Sequence, residues 1–441
     1  MMVTQMPLLL LLLFPLLAQP AWRAGAAKVS ITPTQPIWMA GYDSRTKPSE
    51  GVLRDIYVKA LALDDGSGRI AVIVTLDLVA VSPSIVDPVV ARARKLGIPR
   101  ERLLLNASHT HSAPGAGEEF VFRYEDRIPP NQIAVVRAYT QGLIEKISTA
   151  IEESVRNLAP AQISYAQGLA GLAVNRRRVA NRAWPGPVDH DLPVLAVRGD
   201  NGKLRAVVFG YACHNTTLGN YMINGDYAGF AMEELEKENQ GAVAMFVQGA
   251  GADSNPLPRR TVELAMRHGE TIAAAVREVL GARMRPVNGP LNAVFEIVDL
   301  PFQAPPSREE LTARLNGKDE IKKRNARWLL DALERDGKIR ASYPDPLQIW
   351  KFGAGPTLIA LGGELVVDYA LRFKSKYGWA DTWVAGYSND VFGYVPSLRV
   401  LKEGGYEGGD SLFNRPYPGP FAPEVEELIA RKVDALMKLV N

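Results

Sequence analysis

The sequence predicts an α/β fold, one large domain of mixed β-sheet with flanking helices. Three observations carry this expectation. Buried-strand patterns alternate with helical periodicities from about residue 27 to the end of the chain. No internal repeat, low-complexity linker or compositional break divides it. Its 441 residues, 47% hydrophobic and 22% charged, suffice for a sizeable core and are ordinary for a globular domain.

The elements follow in order. "PLLLLLLFPLLAQ" (7–19) is apolar over the length of a signal peptide, too short and Pro-interrupted for a membrane span, and Ala24-Gly25-Ala26 follows it. It predicts an export signal over 1–26 and a mature domain over 27–441, periplasmic or extracellular; an uncleaved anchor is the rival reading. No second run of 18 uncharged apolar residues exists, so the mature chain is expected to have no transmembrane span and at most membrane-surface contact. "RIAVIVTLDLVAV" (69–81) is a continuous β-branched run, the pattern of a strand covered on both faces. A helix over 82–97 starts at Ser-Pro and stops at Gly97, and "RLLLNAS" (102–108) forms the next strand.

A long helix spans 131–158, and strands follow at 161–168, 192–198 and 203–213, the last two joined by a "GDNG" hairpin turn. Helix 226–239, strand 242–249 and helix 261–282 come next. Residues 307–337 form a charge-rich helical pair, expected as a solvated surface insertion. Strands at 346–352, 356–361 and 382–387 and an amphipathic C-terminal helix complete the chain.

The net charge of +3 comes from nearly balanced acids and bases, and no basic run exceeds Arg176-Arg177-Arg178, so no nucleic-acid partner is expected. The single cysteine, Cys213, excludes an intramolecular disulfide, so stability must come from the core, with a bound metal as a further source. In a strand Cys213 would face away from His214, which makes it a core residue rather than a nucleophile.

Chemistry in α/β folds gathers where strands end. Four such ends carry polar groups here. "NASHTHSAPG" (106–115) holds His109 and His111, which share one face if the chain stays extended. This suits a metal, or one ligand beside an acid/base; a hydrogen-bonded loop is the alternative. "VVFGYACHNTTLGN" (207–220) places His214 after a second apolar strand. "PTLIALGGELVVDYA" (356–370) places Glu364 after a Gly-Gly turn, where a surface carboxylate or a third ligand fits. "YSNDVFGYVPSLRVLKEGGYEGGDSLF" (387–413) holds Tyr394 and Tyr406, and a phenol ligates zinc or donates to an oxyanion. Arg176 offers a charge for a substrate oxygen, and "FVQGAGADSNPLPRR" (246–260) a turn whose N–H groups, with a helix after it, would bind an anion or carbonyl.

In order, "AKVSITP", "MAGY", "NASHTHSAPG", "CHNTTLG", "FVQGAGADSNP", "LGGE" and "GYVPSLRVLKEGGYEGGDSLF" resemble the neutral, non-lysosomal ceramidases, zinc amidases that split N-acyl sphingosines. The resemblance implies Zn²⁺ held by His109, His214, Glu364 and Tyr394. It implies His111 beside the metal near the reacting carbonyl, Arg176 in the pocket, and Tyr406, twelve residues after Tyr394, aimed at substrate. Two departures stand out. Ungapped alignment on Phe246, Gln248 and Pro256 puts Asn255 where the family has its serine, often assigned as nucleophile, and Ser254 sits one residue early. The family's C-terminal β-sandwich domain is also expected to be missing. The mechanism left without the serine is attack by water that zinc has acidified. A lipid or other small amide is the expected partner, and no protein partner is implied. A zinc amidase or esterase for another substrate, an inactive metal-containing binding protein, and a serine hydrolase using Ser254 stay open.

Overall fold

The structure, a computed structural model, describes residues 22–178 and 186–441. Most of the expected export signal lies outside the described residues. Its expected boundary at 26/27, however, falls inside the strand Arg23–Ser30, where Trp22 and Ala24 are buried. The Trp22 indole donates to Val287 O at 2.9 Å. The folded domain therefore begins no later than residue 22. Small residues that suit a cleavage site suit a tightly paired strand equally well. Among the described residues no helix is long and apolar enough to cross a membrane.

Two sheets stack face to face between helical layers. The large one runs, edge to edge, through Val243–Gln248, Leu204–Tyr211, Asp191–Gly199, Ala159–Leu169, Arg23–Ser30, Tyr57–Asp64, Ala71–Leu76 and Leu103–Ala107. The small one runs through Leu291–Pro301, Ser342–Phe352, Thr357–Leu361 and Thr382–Ala385. Both mix parallel and antiparallel pairs.

Alternation along each strand explains the layering. On Tyr57–Asp64 and Ala71–Leu76, Val58, Ala60, Val72 and Val74 face the helices Pro83–Lys95 and Pro130–Arg156, while Leu61, Leu63, Ala71 and Ile73 face the small sheet. The small sheet answers with Trp350, Phe352, Leu358 and Trp383. Its outer face packs Leu347, Ile349 and Ile359 on the helices Val367–Tyr377 and Val425–Val440. Burial on both faces is why these strands read as continuous apolar runs.

The large sheet curls until its two edge strands approach each other. Asn106, in the last turn of one edge, bridges the gap: its Oδ1 accepts from Gln248 N at 2.8 Å, and its amide donates to Gly386 O at 2.8 Å and Ser388 Oγ at 3.1 Å. Ends of three strands from two sheets thus meet around one fully buried side chain.

Two expectations change. The strand Leu291–Pro301 was not anticipated from the sequence; its face pattern is mostly half-buried, so it lacks the apolar run that marks its partner. The charged pair 307–337 does form two helices, Arg308–Leu315 and Glu320–Asp336, but is not merely solvated. Asn325 is fully buried, and its amide donates to Arg415 O at 2.8 Å and Tyr417 O at 2.9 Å. One helix face is thereby fastened to the 410–417 loop.

Candidate metal centre and its cavity

The strand Leu103–Ala107 ends before the histidine pair, and His109 takes a left-handed backbone with φ 62. The two rings therefore converge through a kink, with centroids 4.7 Å apart, and not through the extended alternation expected from the sequence. Tyr387 and Asn389, on the facing loop, also have positive φ, of 54 and 64. Such conformations cost roughly 1–3 kcal/mol each and persist where surrounding contacts hold them. Here the holding bonds are His109 N to Leu78 O, Ala107 N to Tyr387 O and Asn389 N to Leu105 O.

His214 follows the strand Leu204–Tyr211, and Asn215 pins this end. The Asn215 amide donates to Ser108 O at 2.6 Å, and Asn215 O accepts from His111 N at 3.1 Å. Glu364 and Tyr394 arrive together, because Glu364–Leu365 and Tyr394–Val395 pair as two short parallel strands in which they are direct partners. The Gly362-Gly363 turn before Glu364 has φ +65 at Gly363, where a side chain would also strike Val395.

The donors face inward. His109 Nδ1 lies 2.7 Å from Val79 O and His214 Nδ1 2.8 Å from Gly251 O. A carbonyl only accepts, so both Nδ1 atoms carry a proton, and a neutral ring then presents its lone pair at Nε2. Those two Nε2 atoms stand 3.2 and 3.5 Å from the same oxygen, Glu364 Oε2, which has no hydrogen-bond partner. His214 Nε2 is also 3.3 Å from the Tyr394 hydroxyl, and His111 Nε2 is 3.1 Å from His109 Nε2. Burial, then Arg176, pushes His214 down to about 4, and burial carries His111 well below its usual value, so both are neutral at pH 7. Neutral His214 thus turns a lone pair toward a carboxylate oxygen as well as toward the Tyr394 hydroxyl, an arrangement that a cation between the donors would relieve. The ligand atoms of His109, His111 and His214 lie within 4.8 Å of one another, a group able to hold a metal ion. The carbonyl bonds that orient His109 and His214 are the usual outer support of metal-bound imidazole, and His111 Nδ1 has no such partner.

Arg176 stands elsewhere than the sequence suggested. It does not line the cavity; its Nε donates to Glu407 Oε1 at 2.6 Å and its Nη2 to the Tyr394 hydroxyl at 3.0 Å. Glu407, adjacent to Tyr406 in "GGYEGG", was not anticipated, nor was Tyr387, whose buried ring lies 4.5 Å from that of His109. A glutamate between glycines gave the only clue to Glu407. Asp253 was also missed. It accepts from Val367 N and Asn175 Nδ2, each at 2.9 Å, and its own carbonyl takes Arg176 N, tying the arginine loop to the centre.

The turn at 246–260 does not cap a helix. Ser254–Pro256 is a short strand paired with Ala173–Asn175, and the next helix starts only at Val262. Ser254 is fully buried, and its hydroxyl has no partner. Asn255 Oδ1 accepts from Thr216 Oγ1 at 3.2 Å, and neither residue lines the cavity. Cys213 is buried core, its thiol pushed well up by burial. The two remaining histidines are structural: His268 donates to Pro258 O at 2.6 Å, and His190 lies 3.4 Å from the Tyr211 hydroxyl.

A cavity of about 420 Å³ opens on this centre, lined among others by His109, His111, Glu364, Tyr394 and Tyr406. Tyr406 is half exposed at its mouth, its ring 5.2 Å from that of Tyr394. Gly41, from "MAGY", makes room for His111: with φ +100, a methyl there would stand 2.6 Å from the imidazole. Gly41→Ala is expected to destabilise the chain by about 1–3 kcal/mol in a urea titration and to lower turnover by re-aiming His111.

A family model described as "Neutral/alkaline non-lysosomal ceramidase, N-terminal" matches residues 22–300. A neutral ceramidase of Mycobacterium tuberculosis is 25% identical over 86% of this chain and 71% of its own. The crystal structure of neutral ceramidase from Pseudomonas aeruginosa superposes with a TM-score of 0.72 at 22% identity, covering 94% of this chain and 73% of that one. A structure titled "Ceramidase complexed with C2" gives 0.71 at 20% identity, over 93% and 74%. These two solved structures establish the shared fold.

Proposed function

The chain belongs to the neutral/alkaline non-lysosomal ceramidase family, and from this we propose that it is an exported zinc-dependent hydrolase that cleaves the amide bond of N-acyl sphingosine or a related N-acyl lipid. The observation that carries the reading is the buried convergence of His109 Nε2 and His214 Nε2 on Glu364 Oε2, with the Tyr394 hydroxyl beside them, a donor set that suits a cation. His109, His214, Glu364 and Tyr394 are the proposed ligands; imidazole, carboxylate and phenol together suit zinc. When bound, zinc supplies Lewis acidity and an acidified water at neutral pH.

The chain's own groups do the rest. Arg176, held by Glu407, donates to the Tyr394 hydroxyl and so favours its oxygen as a ligand. This replaces the direct substrate contact expected for Arg176. His111 lines the cavity as a neutral imidazole with a free Nδ1, fit to take a proton from the nucleophilic water and then pass it to the leaving nitrogen. Tyr406 presents its hydroxyl at the cavity mouth, fit to donate to the oxyanion of the scissile carbonyl. A serine route finds less support, since no base reaches Ser254 Oγ.

The test is metal analysis of the purified chain, paired with hydrolysis of a fluorescent N-acyl sphingosine and a short ester panel before and after chelation. About one zinc per chain is expected, with activity lost on chelation and restored by Zn²⁺. Activity indifferent to chelation, or a chain that binds no metal, sinks the reading. Zinc without turnover on any amide or ester would leave a binding protein on this fold.

A further inference from the structure

The cavity wall carries a guanidinium that the metal chemistry does not use. Two guanidinium groups line the cavity, Arg123 and Arg415. Arg123 is matched, its Nη2 donating to both carboxylate oxygens of Asp43 at 3.0 and 3.2 Å. The acidic wall residue Glu119 is also occupied: it accepts from Ser82 Oγ at 2.6 Å, from Ser84 N at 3.1 Å and from the Ser84 hydroxyl. Arg415 has no ion pair among the described residues. It follows the turn Asp410–Asn414, from which Ser411 faces the same cavity. Ser411 is 5% exposed, and its hydroxyl has no partner.

This turn is built to stay in place. Asn325 grips its exit through Arg415 O and Tyr417 O, and Arg324 Nη2 donates to Asn414 Oδ1 at 3.3 Å. Arg415 N closes the turn on Leu412 O. A rigid wall therefore offers an unmatched guanidinium and an unsatisfied buried hydroxyl to a space large enough for a ligand. Unpaired groups of this kind carry a free-energy cost that a complementary ligand removes.

We propose that Ser411 and Arg415 form an anion subsite for a carboxylate on the substrate, remote from the scissile amide. The preferred substrates are then N-acyl compounds with a carboxylate in the amine part, the chemistry of N-acyl amino acids, over uncharged N-acyl amines. A planar carboxylate matches the guanidinium fork and leaves an oxygen for the serine hydroxyl. The inference rests on the amide-hydrolase reading for turnover, but not for binding.

The test compares N-dodecanoylglycine with N-dodecanoylethanolamine on the zinc-loaded full chain, by calorimetric binding and by kcat/KM. The wild type is expected to favour the glycine conjugate. Arg415→Gln should lower the glycine-to-ethanolamine ratio of kcat/KM about 10- to 100-fold, carried by KM, with Arg415→Lys recovering part of it. Ser411→Ala should lower the same ratio by a smaller factor, which keeps the test open if the arginine variants fold poorly. No preference in the wild type, or an equal loss on both compounds, overturns the subsite. Charge-selective binding without turnover supports the subsite, and the hydrolase reading then falls if the fluorescent N-acyl sphingosine and the ester panel are not turned over either.

Discussion

Glu364→Gln is expected to abolish metal binding while leaving the metal-free chain as stable as the metal-free wild type, or more so. In the wild type without metal, two imidazole Nε2 atoms stand 3.2 and 3.5 Å from one carboxylate oxygen, and neutral His214 turns a lone pair toward it in a site 5% exposed or less at each of the three residues. Glutamine puts an amide donor into that gap and removes the charge that draws a cation. The sign of the change therefore depends on metal. In a chelator the variant should melt at the wild-type temperature or above it. In excess zinc the wild type should rise, by about 4 kcal/mol at a thousandfold excess over Kd, and the variant should not. Loss of several kcal/mol of Lewis-acid stabilisation predicts a fall in kcat/KM of roughly 10³-fold or more. Differential scanning fluorimetry with and without chelator, beside metal content by mass spectrometry, decides it. A variant that retains stoichiometric zinc would remove Glu364 from the ligand set.

Asn106→Ala should be the most damaging substitution that touches no proposed ligand. The side chain closes the gap between the two edge strands of the large sheet, and its loss leaves Gln248 N buried without this acceptor and Gly386 O with the Ser388 hydroxyl alone. One orphaned N–H costs about 1–3 kcal/mol, and the lost bonds to Gly386 O and Ser388 Oγ add to it. The lost bridge also frees three strand ends that carry the centre: one leads to His109, one to the 249–256 turn under His214, and one to the loop of Tyr394. A displacement of about 1 Å at such a site costs about 10²-fold in rate. Urea denaturation and zinc titration are expected to fall together, whereas a residue of purely local importance would shift only the first. Unchanged stability would show that the sheet closes without this residue.

Local patterns made most elements legible. The runs at 69–81 and 102–108, the hairpin around "GDNG", and the helices at 82–97 and 226–239 match strands and helices within a few residues. Strand-end polar groups at 109, 111, 214, 364, 394 and 406 are all brought to one centre or its mouth. What stayed hidden was geometry set by distant contacts. The kink at His109 depends on Leu78 and on the loop at 387–389, which no pattern near residue 109 encodes. Arg176 looked like a substrate contact because Glu407, its partner, lies 231 residues away. The solvated reading of 307–337 failed at Asn325, whose partners are backbone carbonyls and leave no trace in composition.

The curl that Asn106 closes has a bearing on when the proposed centre could first take up a metal. The proposed donors run from residue 109 to residue 394, and each hangs on a different strand end, so a fragment emerging early from a ribosome lacks the full set in register. A centre of this kind would select an ion only once the fold is complete, and so in the place where folding finishes.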